Sequence, residues 1–370
     1  MPYTLGAVGF GHWFSRLYDG MKRNGSITLS KVAGVSDVSS KLPRLKSIGL
    51  GANDYYRMQR NGPIPDSFFE GLDVIHISDP NEFHASQTLQ SISKGKVTVT
   101  EKTFGTTKKE FNEVIDFIES NDATSRTYLH LHYIHKLLTL ELDDLLTKFS
   151  EEYGKVSKTN AVFFEAPDEE DMRRKDWLFG SKNGGIFMDW IHPFEVLSIG
   201  AKATNVSLKN VELYSTFKKY DSNNPTGVLA SASVSGDHFS KNSTASISIA
   251  KGAPKTLKLV RFFFESDAYL DIRYVDSKIE FSSENRGSWS FYENEKLKAS
   301  GAPKGPTTSE LLVHDIENLC KGMKTSIGID NVLKVFTPQW QYQKMSSSKR
   351  INVSEESVSQ FINNGLHPFY

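Results

Sequence analysis

The sequence predicts an α/β protein: an N-terminal doubly wound parallel sheet followed by an α+β domain with a large open, mainly antiparallel sheet. Three observations carry this expectation. In the first third, short apolar runs alternate with amphipathic stretches, the rhythm of strands joined by helical crossovers. A glycine-rich turn directly follows the first of those runs. Beyond about residue 155 the texture changes to apolar–polar alternation with a period of two, as in a sheet with one dry and one wet face. A chain of 370 residues is too long for one ordinary core and suits two domains. The expected division is residues 1–127 and 128–370, with the C-terminal segment folding back on the first domain.

The elements follow in order. Leu5-Gly6-Ala7-Val8 reads as a buried strand, residues 13–21 as a helix, and Lys31-Val32-Ala33-Gly34-Val35-Ser36 as a second strand. Asp73-Val74-Ile75-His76-Ile77 and Val97-Thr98-Val99-Thr100 are the next strands, with helices over about 84–94 and 108–120. Tyr128-Leu129-His130-Leu131-His132 reads as a further strand, before a Leu-rich helix over about 137–149. Ala161-Val162-Phe163-Phe164, Ser246-Ile247-Ser248-Ile249 and Tyr269-Leu270-Asp271-Ile272 then alternate between Gly-, Asn- and Ser-containing turns. Residues 310–323 are helical. No internal repeat is present.

Composition excludes several classes of function. Lys plus Arg equals Asp plus Glu at 44 each, so no field favours nucleic acid or anionic lipid. No apolar run reaches the length of a bilayer span, and the N-terminus lacks the basic-then-apolar pattern of a secretory signal. The single cysteine, Cys320, rules out an intramolecular disulfide and disfavours a cysteine metal site. A reducing cytoplasm is the expected compartment.

The turn after the first strand reads Gly9-Phe10-Gly11-His12-Trp13 and opens a helix. A pyrophosphate placed there meets free backbone N–H groups and the positive end of a helix dipole. Glycine is needed where a Cβ would block the turn and the approach to the phosphates. Phe14 stands where the Rossmann fingerprint has its third small residue, so a plain strand-to-helix turn is the competing reading. Asp37 lies 26 residues beyond Gly11, where an acidic residue accepts both ribose hydroxyls of NAD and repels a 2′-phosphate. This favours NAD over NADP. A turn aspartate is the alternative, and Ser39, Ser40 and Lys41 offer a phosphate site instead.

More specific are three segments. Ser78-Asp79-Pro80-Asn81-Glu82-Phe83-His84 follows the third strand, Gly95-Lys96-Val97-Thr98-Val99-Thr100-Glu101-Lys102 contains the fourth, and Gly184-Gly185-Ile186-Phe187-Met188-Asp189-Trp190-Ile191-His192-Pro193 comes later. In order and content they resemble the Pro-Asn-x-x-His, Glu-Lys-Pro and Gly-Gly…Asp…His signatures of the Gfo/Idh/MocA family of NAD(P)-dependent oxidoreductases, the glucose-fructose oxidoreductase and inositol dehydrogenase type. Thr103 replaces the family's proline, and the Asp-to-His spacing is one residue shorter than usual. The resemblance implies a dehydrogenase or reductase acting on a CH–OH group of a sugar, polyol or sugar derivative, assembled as a homodimer or homotetramer. It implies that Ser78, Pro80, Asn81, His84, Glu101 and Lys102 join Gly9, Phe10, Gly11, His12, Trp13 and Asp37 around the dinucleotide. It further implies that Lys102 favours developing alkoxide charge, that His192 is the general base, and that Asp189 orients substrate or tunes His192.

The cluster His130, His132, Tyr133 and His135 invites a zinc reading, but no carboxylate or cysteine accompanies it at familiar spacing, and no metal is expected. The resemblance implies that this region lines the cleft beside the nicotinamide, which makes His132 and Tyr133 candidate substrate contacts, and His130 reads as a packing residue. Asp168-Glu169-Glu170-Asp171 with Arg173-Arg174-Lys175 reads as a solvated loop or substrate cover, and Trp177 as packing. Two other functions remain open: a non-sugar reductase on the same fold, and a non-catalytic dinucleotide-binding regulator.

Overall fold

A computed structural model describes residues 2–60, 62–166, 186, 189–214, 226–251, 253, 256–275, 280, 285–342 and 346–348. Two compact units are present: Met1–Leu131 with Pro306–Ile329, and His132–Gly305 with Asp330–Tyr370.

The first unit is built on six parallel strands: β1 (Tyr3–Val8), β2 (Ile27–Gly34), β3 (Tyr55–Arg57), β4 (Val74–Ile77), β5 (Val97–Glu101) and β6 (Thr127–His130), in spatial order β3-β2-β1-β4-β5-β6. Leu5, Ala7, Val8, Val74, Ile75 and Ile77 are fully buried, which is why β1 and β4 read as short, mainly apolar runs. Helices α1 (His12–Asn24), α2 (Val38–Ser47), α3 (His84–Ser93) and α4 (Lys108–Ser120) make the crossovers that parallel strands require. Phe14, Leu17 and Met21 form the buried stripe of α1. Phe14, out of place in a Rossmann fingerprint, is accommodated by packing on Phe10, Tyr18 and His76 at 5.7, 6.3 and 6.0 Å. Thr107 and Glu110 form a capping box at the start of α4, each side chain satisfying a backbone N–H of the other. The strand order places β1 between β2 and β4, so the winding reverses there. A crevice opens at such a switch point, outside the carboxyl ends of the two strands.

Some expectations are corrected here. The second strand runs Ile27–Gly34, not 31–36, and both α2 and the short β3 went unseen in the sequence. The strand expected over 128–132 ends at His130, and His132–His135 form a turn of 3-10 helix.

The second unit holds a nine-stranded mixed sheet. Its strands are β7 (Val156–Glu165), β8 (Ala203–Tyr214), β9 (Gly227–Gly236), β10 (Phe239–Lys251), β11 (Leu257–Phe264), β12 (Ala268–Arg273), β13 (Ser288–Glu293), β14 (Lys296–Gly301) and β15 (Ser346–Ser348), in order β14-β13-β12-β11-β7-β10-β9-β8-β15. The pairings are antiparallel except β7 with β10 and β8 with β15. The expected Leu-rich helix is two pieces, α5 (Leu137–Leu140) and α6 (Leu142–Tyr153). Leu142, Leu146 and Phe149 of α6 are buried, and the Phe149 ring stacks on Phe291 at 4.0 Å, which pins the helix to the sheet. A four-residue helix, α7 (His192–Glu195), precedes β8. Helix α8 (Thr308–Cys320) returns to the first unit, and α9 (Ile329–Tyr342) follows it. Among the described residues no helix is long and apolar enough to cross a membrane.

Candidate functional site

Gly9 has φ +87, and a Cβ there would lie 2.6 Å from the backbone nitrogen of Asp79 and 2.8 Å from the carbonyl carbon of Ser78. Only glycine lets the β1–α1 turn close on the end of β4 this tightly. Two residues on, an ideal Cβ at Gly11 meets nothing within 4 Å, and Gly11 caps α1 with no side-chain acceptor. The turn thus combines open space with the uncapped N-terminus of a 13-residue helix, which fits an anion such as a pyrophosphate. Arg44 of α2 braces the turn from behind, donating to the carbonyls of Phe10 (2.8 Å) and Gly11 (3.0 Å) and to the Ser15 hydroxyl. Its guanidinium lies over the Phe10 ring, 4.2 Å from the centroid. His12 and Trp13 open α1, and their side chains lie outside the described ones.

Asp37 caps α2. Its Oδ1 accepts from the backbone N–H and the hydroxyl of Ser39 at 3.0 and 2.7 Å, and its Oδ2 lies 3.3 Å from Arg57. The Ser39 bonds hold this carboxyl below its usual range, with Arg57 adding a smaller pull. One oxygen is thus committed to the helix, and the other has a cationic neighbour that β3 supplies.

The residues after β4 and β5 are tied together. The Ser78 hydroxyl donates to the Gly9 carbonyl at 3.2 Å. Pro80 precedes the single turn Asn81–Phe83, and His84 opens α3. Buried His84 faces carbonyls on both ring nitrogens, Thr103 at 2.8 Å and Asp79 at 2.9 Å. It is a strut between the two strand ends. Half-buried Lys102 stands one residue past β5, and the Lys102–Thr103 peptide is cis. Buried Glu101 presents one oxygen to His130 Nδ1 (2.8 Å) and His76 Nε2 (3.3 Å). A carboxylate does therefore accompany His130. It arrives by the β5–β6 register, which pairs Glu101 with His130 and leaves no trace in linear spacing.

The second unit gathers a separate cluster. Buried His192 has Nδ1 2.8 Å from Glu195 Oε1 and Nε2 3.4 Å from Asp189 Oδ1. The other Glu195 oxygen accepts the backbone N–H of Tyr133 at 2.7 Å. Asp189 Oδ2 lies 2.6 Å from Lys251, which also reaches Glu165 at 3.1 Å, and Lys258 holds the second Glu165 oxygen at 2.8 Å. The sheet builds this ladder, since Lys251 is the direct partner of Glu165 in the β7–β10 pairing. Burial alone would lower the Lys251 ammonium's pKa, but Asp189 and Glu165 outweigh it and push it up. Burial likewise opposes ionisation of Glu165, and the two lysines override it. The His192 ring touches Tyr133 (4.5 Å between centroids) and lies near-parallel to His132 at 6.0 Å. The buried Tyr133 hydroxyl has no hydrogen-bond partner, and burial raises its pKa well above the ordinary phenol value.

Sequence reasoning missed Arg44, Arg57, Glu165, Lys251 and Lys258. Glu195, three residues after His192, was readable as an i, i+3 pair. Asp168 to Asp171, Arg173 to Lys175, Trp177, Gly184 and Gly185 lie outside the described residues.

No family model and no curated protein matches the chain. Solved structures do. KijD10, a 3-ketoreductase from Actinomadura kijaniata crystallised with NADP and TDP-benzene, superposes with a TM-score of 0.75 over 95% of this chain and 100% of that one, at 11% identity. A protein from Desulfitobacterium hafniense DCB-2, provisionally described as an NADPH-dependent oxidoreductase, gives 0.72 over 91% and 94%, at 16% identity. One from Erwinia carotovora atroseptica SCRI1043, provisionally described as an oxidoreductase, gives 0.70 over 94% and 99%, also at 16%. The chain has the two-part fold of these proteins: a Rossmann-type parallel sheet followed by an α+β unit on a large, mainly antiparallel sheet.

Proposed function

We propose that the chain is an NAD(P)-dependent oxidoreductase acting at a hydroxyl or carbonyl carbon of a sugar, polyol or sugar derivative. The observation that carries this reading is the Gly9–Gly11 cradle at the switch point of the parallel sheet. The fold shared with an NADP-bound ketoreductase supports it. When bound, the nicotinamide supplies or accepts the hydride.

The chain's own residues handle position, charge and proton. The first unit, taken as the dinucleotide-binding part, carries Lys102, whose ammonium favours negative charge growing on the substrate oxygen. The second, taken as the substrate part, carries His192. Glu195 fixes the ring by accepting from Nδ1, which leaves Nε2 to take the hydroxyl proton. The imidazolium so formed lies between the carboxylates of Glu195 and Asp189. Lys251 keeps Asp189 anionic, so Asp189 orients and stabilises rather than trading protons. The buried, unpartnered Tyr133 hydroxyl and the neighbouring His132 are the proposed substrate contacts. The same reading places the protein in the cytoplasm as a homodimer or homotetramer.

The test is a panel of monosaccharides, inositols and sugar derivatives offered with NAD and with NADP, followed by nicotinamide absorbance. Turnover of at least one CH–OH substrate is expected. Dinucleotide binding without turnover on any of them would favour a regulatory protein instead.

NAD is the proposed preference, because Asp37 stands three residues past the end of β2, at the cap of α2. The Arg57 contact weakens its rejection of a 2′-phosphate, so discrimination should be modest. Asp37→Ser is expected to move the ratio of kcat/KM for NADP over NAD upward by roughly fivefold or more, the scale of an exposed charge interaction. A wild-type protein that strongly prefers NADP would remove this role from Asp37.

A further inference from the structure

Arg44 is half-buried in the last turn of α2, and its guanidinium spans two successive carbonyls of the β1–α1 turn. Nη1 donates to Phe10 at 2.8 Å, while Nη2 donates to Gly11 at 3.0 Å and to the Ser15 hydroxyl. The Phe10 ring covers the guanidinium, 4.2 Å from centroid to carbon. Such a rigid, planar fork cannot turn about one bond without breaking the other, so it fixes the groups it holds.

The two carbonyls belong to the Phe10–Gly11 and Gly11–His12 peptides, both trans. In a trans peptide the N–H points opposite to the C=O. Holding the carbonyls against Arg44 therefore aims the N–H groups of Gly11 and His12 away from it. Those two are among the donors that the start of α1 leaves without an intrahelical acceptor. Space is open beside them, since an ideal Cβ on Gly11 meets nothing within 4 Å. A charged donor on each carbonyl also polarises the peptide, which strengthens its N–H as a donor. Nor is the charge cancelled nearby. Among the described residues the guanidinium meets two carbonyls and one hydroxyl, and forms no ion pair with a carboxylate. A neutral amide could serve as a brace. An uncompensated cation behind the donors suits a ligand that brings negative charge to their other side.

We propose that Arg44 is a positioning residue for the dinucleotide: it sets the Gly11 and His12 N–H groups toward the pyrophosphate and adds its own charge to their field. This rests on the dinucleotide reading of the Gly9–Gly11 cradle. Arg44 holds the peptides and not the ligand, so its loss weakens binding through the turn.

The experiment is fluorescence titration of the full chain with NADH at low and at high NaCl concentration. Arg44→Met keeps a stem over Phe10 and removes both fork and charge. Its dissociation constant should rise roughly tenfold or more, the scale of lost charge-assisted hydrogen bonds. Its salt dependence should also be shallower than that of the wild type, since one attracting charge is gone. Arg44→Lys keeps the charge without the fork, so its affinity should fall between the two while its salt dependence matches wild type. Hydrogen exchange of the ligand-free proteins separates positioning from folding. Amides of residues 9–16 should exchange faster in both variants, with β4 and β5 protected as in the wild type. Wild-type affinity in Arg44→Met, an unchanged salt dependence there, or weaker binding accompanied by faster exchange throughout the first unit would each overturn the assignment while leaving the cradle intact. If Arg44→Met fails to fold, Arg44→Lys decides, and wild-type affinity or wild-type protection of the turn in that variant overturns it. No NADH binding by the wild-type protein would overturn the cradle reading as well.

Discussion

Lys102→Met is expected to lower turnover by about two to three powers of ten, the cost of removing one charge-stabilising donor from a reacting site. The substitution keeps the aliphatic stem, so the first unit should fold and bind dinucleotide with near-normal affinity. Lys102 follows the last residue of β5, on the same side of the sheet as the ends of β1 and β4. Buried Glu101 before it is bonded to His130, and Thr103 after it is tied through its carbonyl to His84. The backbone on both sides is thus held, and Lys102→Arg should rescue poorly, because a planar guanidinium does not occupy the volume of a compact ammonium. Two measurements decide the matter: NADH affinity by fluorescence, and kcat on the substrate the panel identifies. Near-normal turnover in the methionine variant would direct Lys102 away from the chemistry, and a regulatory role for the cradle would gain ground.

What could be read from the sequence was whatever is encoded locally. Buried parallel strands collect apolar and β-branched residues, so β1, β4 and β5 stood out as short runs, and the Gly9–Gly11 turn followed from the first of them. Helix α2 was hidden because Asp37 and Ser39 carry turn chemistry, and the same bonds that suggested a turn are those of a helix cap. Pro43 inside that helix further masked it. Strand β3, at three residues, is too short for any periodicity. The strand through His130 stopped early at a place where Leu131 stays buried, as do Tyr133 and Ile134 in the 3-10 turn that follows, so apolarity there did not mean strand. Charges around Asp189 were illegible for a different reason. Glu165 and Lys251 meet only because β7 and β10 pair across a sequence separation of 86. The family resemblance supplied Asp189 and His192 but not their supports, because the supports are set by sheet register.

Loss of the His192 imidazole should be the other large effect. His192→Ala is expected to slow oxidation of a hydroxyl substrate by roughly a hundredfold or more, the usual scale for a missing general base. The acidic limb of the pH–rate profile should disappear with it. The surroundings sharpen the test beyond a simple deletion. Glu195 touches His192 through Oε1 and the Tyr133 backbone through Oε2, so it fixes the ring without being a candidate base itself. Glu195→Gln retains an acceptor for Nδ1 and removes the charge that stabilises the imidazolium. It should lower kcat by about tenfold, within the range for one charge-assisted hydrogen bond, while KM changes little. Its acidic limb should persist but move to lower pH, a displacement that a purely structural role for Glu195 would not produce. Tyr133 is a poor substitute base, because burial holds its hydroxyl in the neutral form far above working pH. If the acidic limb survives unchanged in His192→Ala, the base is another residue, with His132, its near-parallel neighbour, first in line. In that event Glu195→Gln should leave the profile where it is, and the two variants together separate a catalytic His192 from one that only packs.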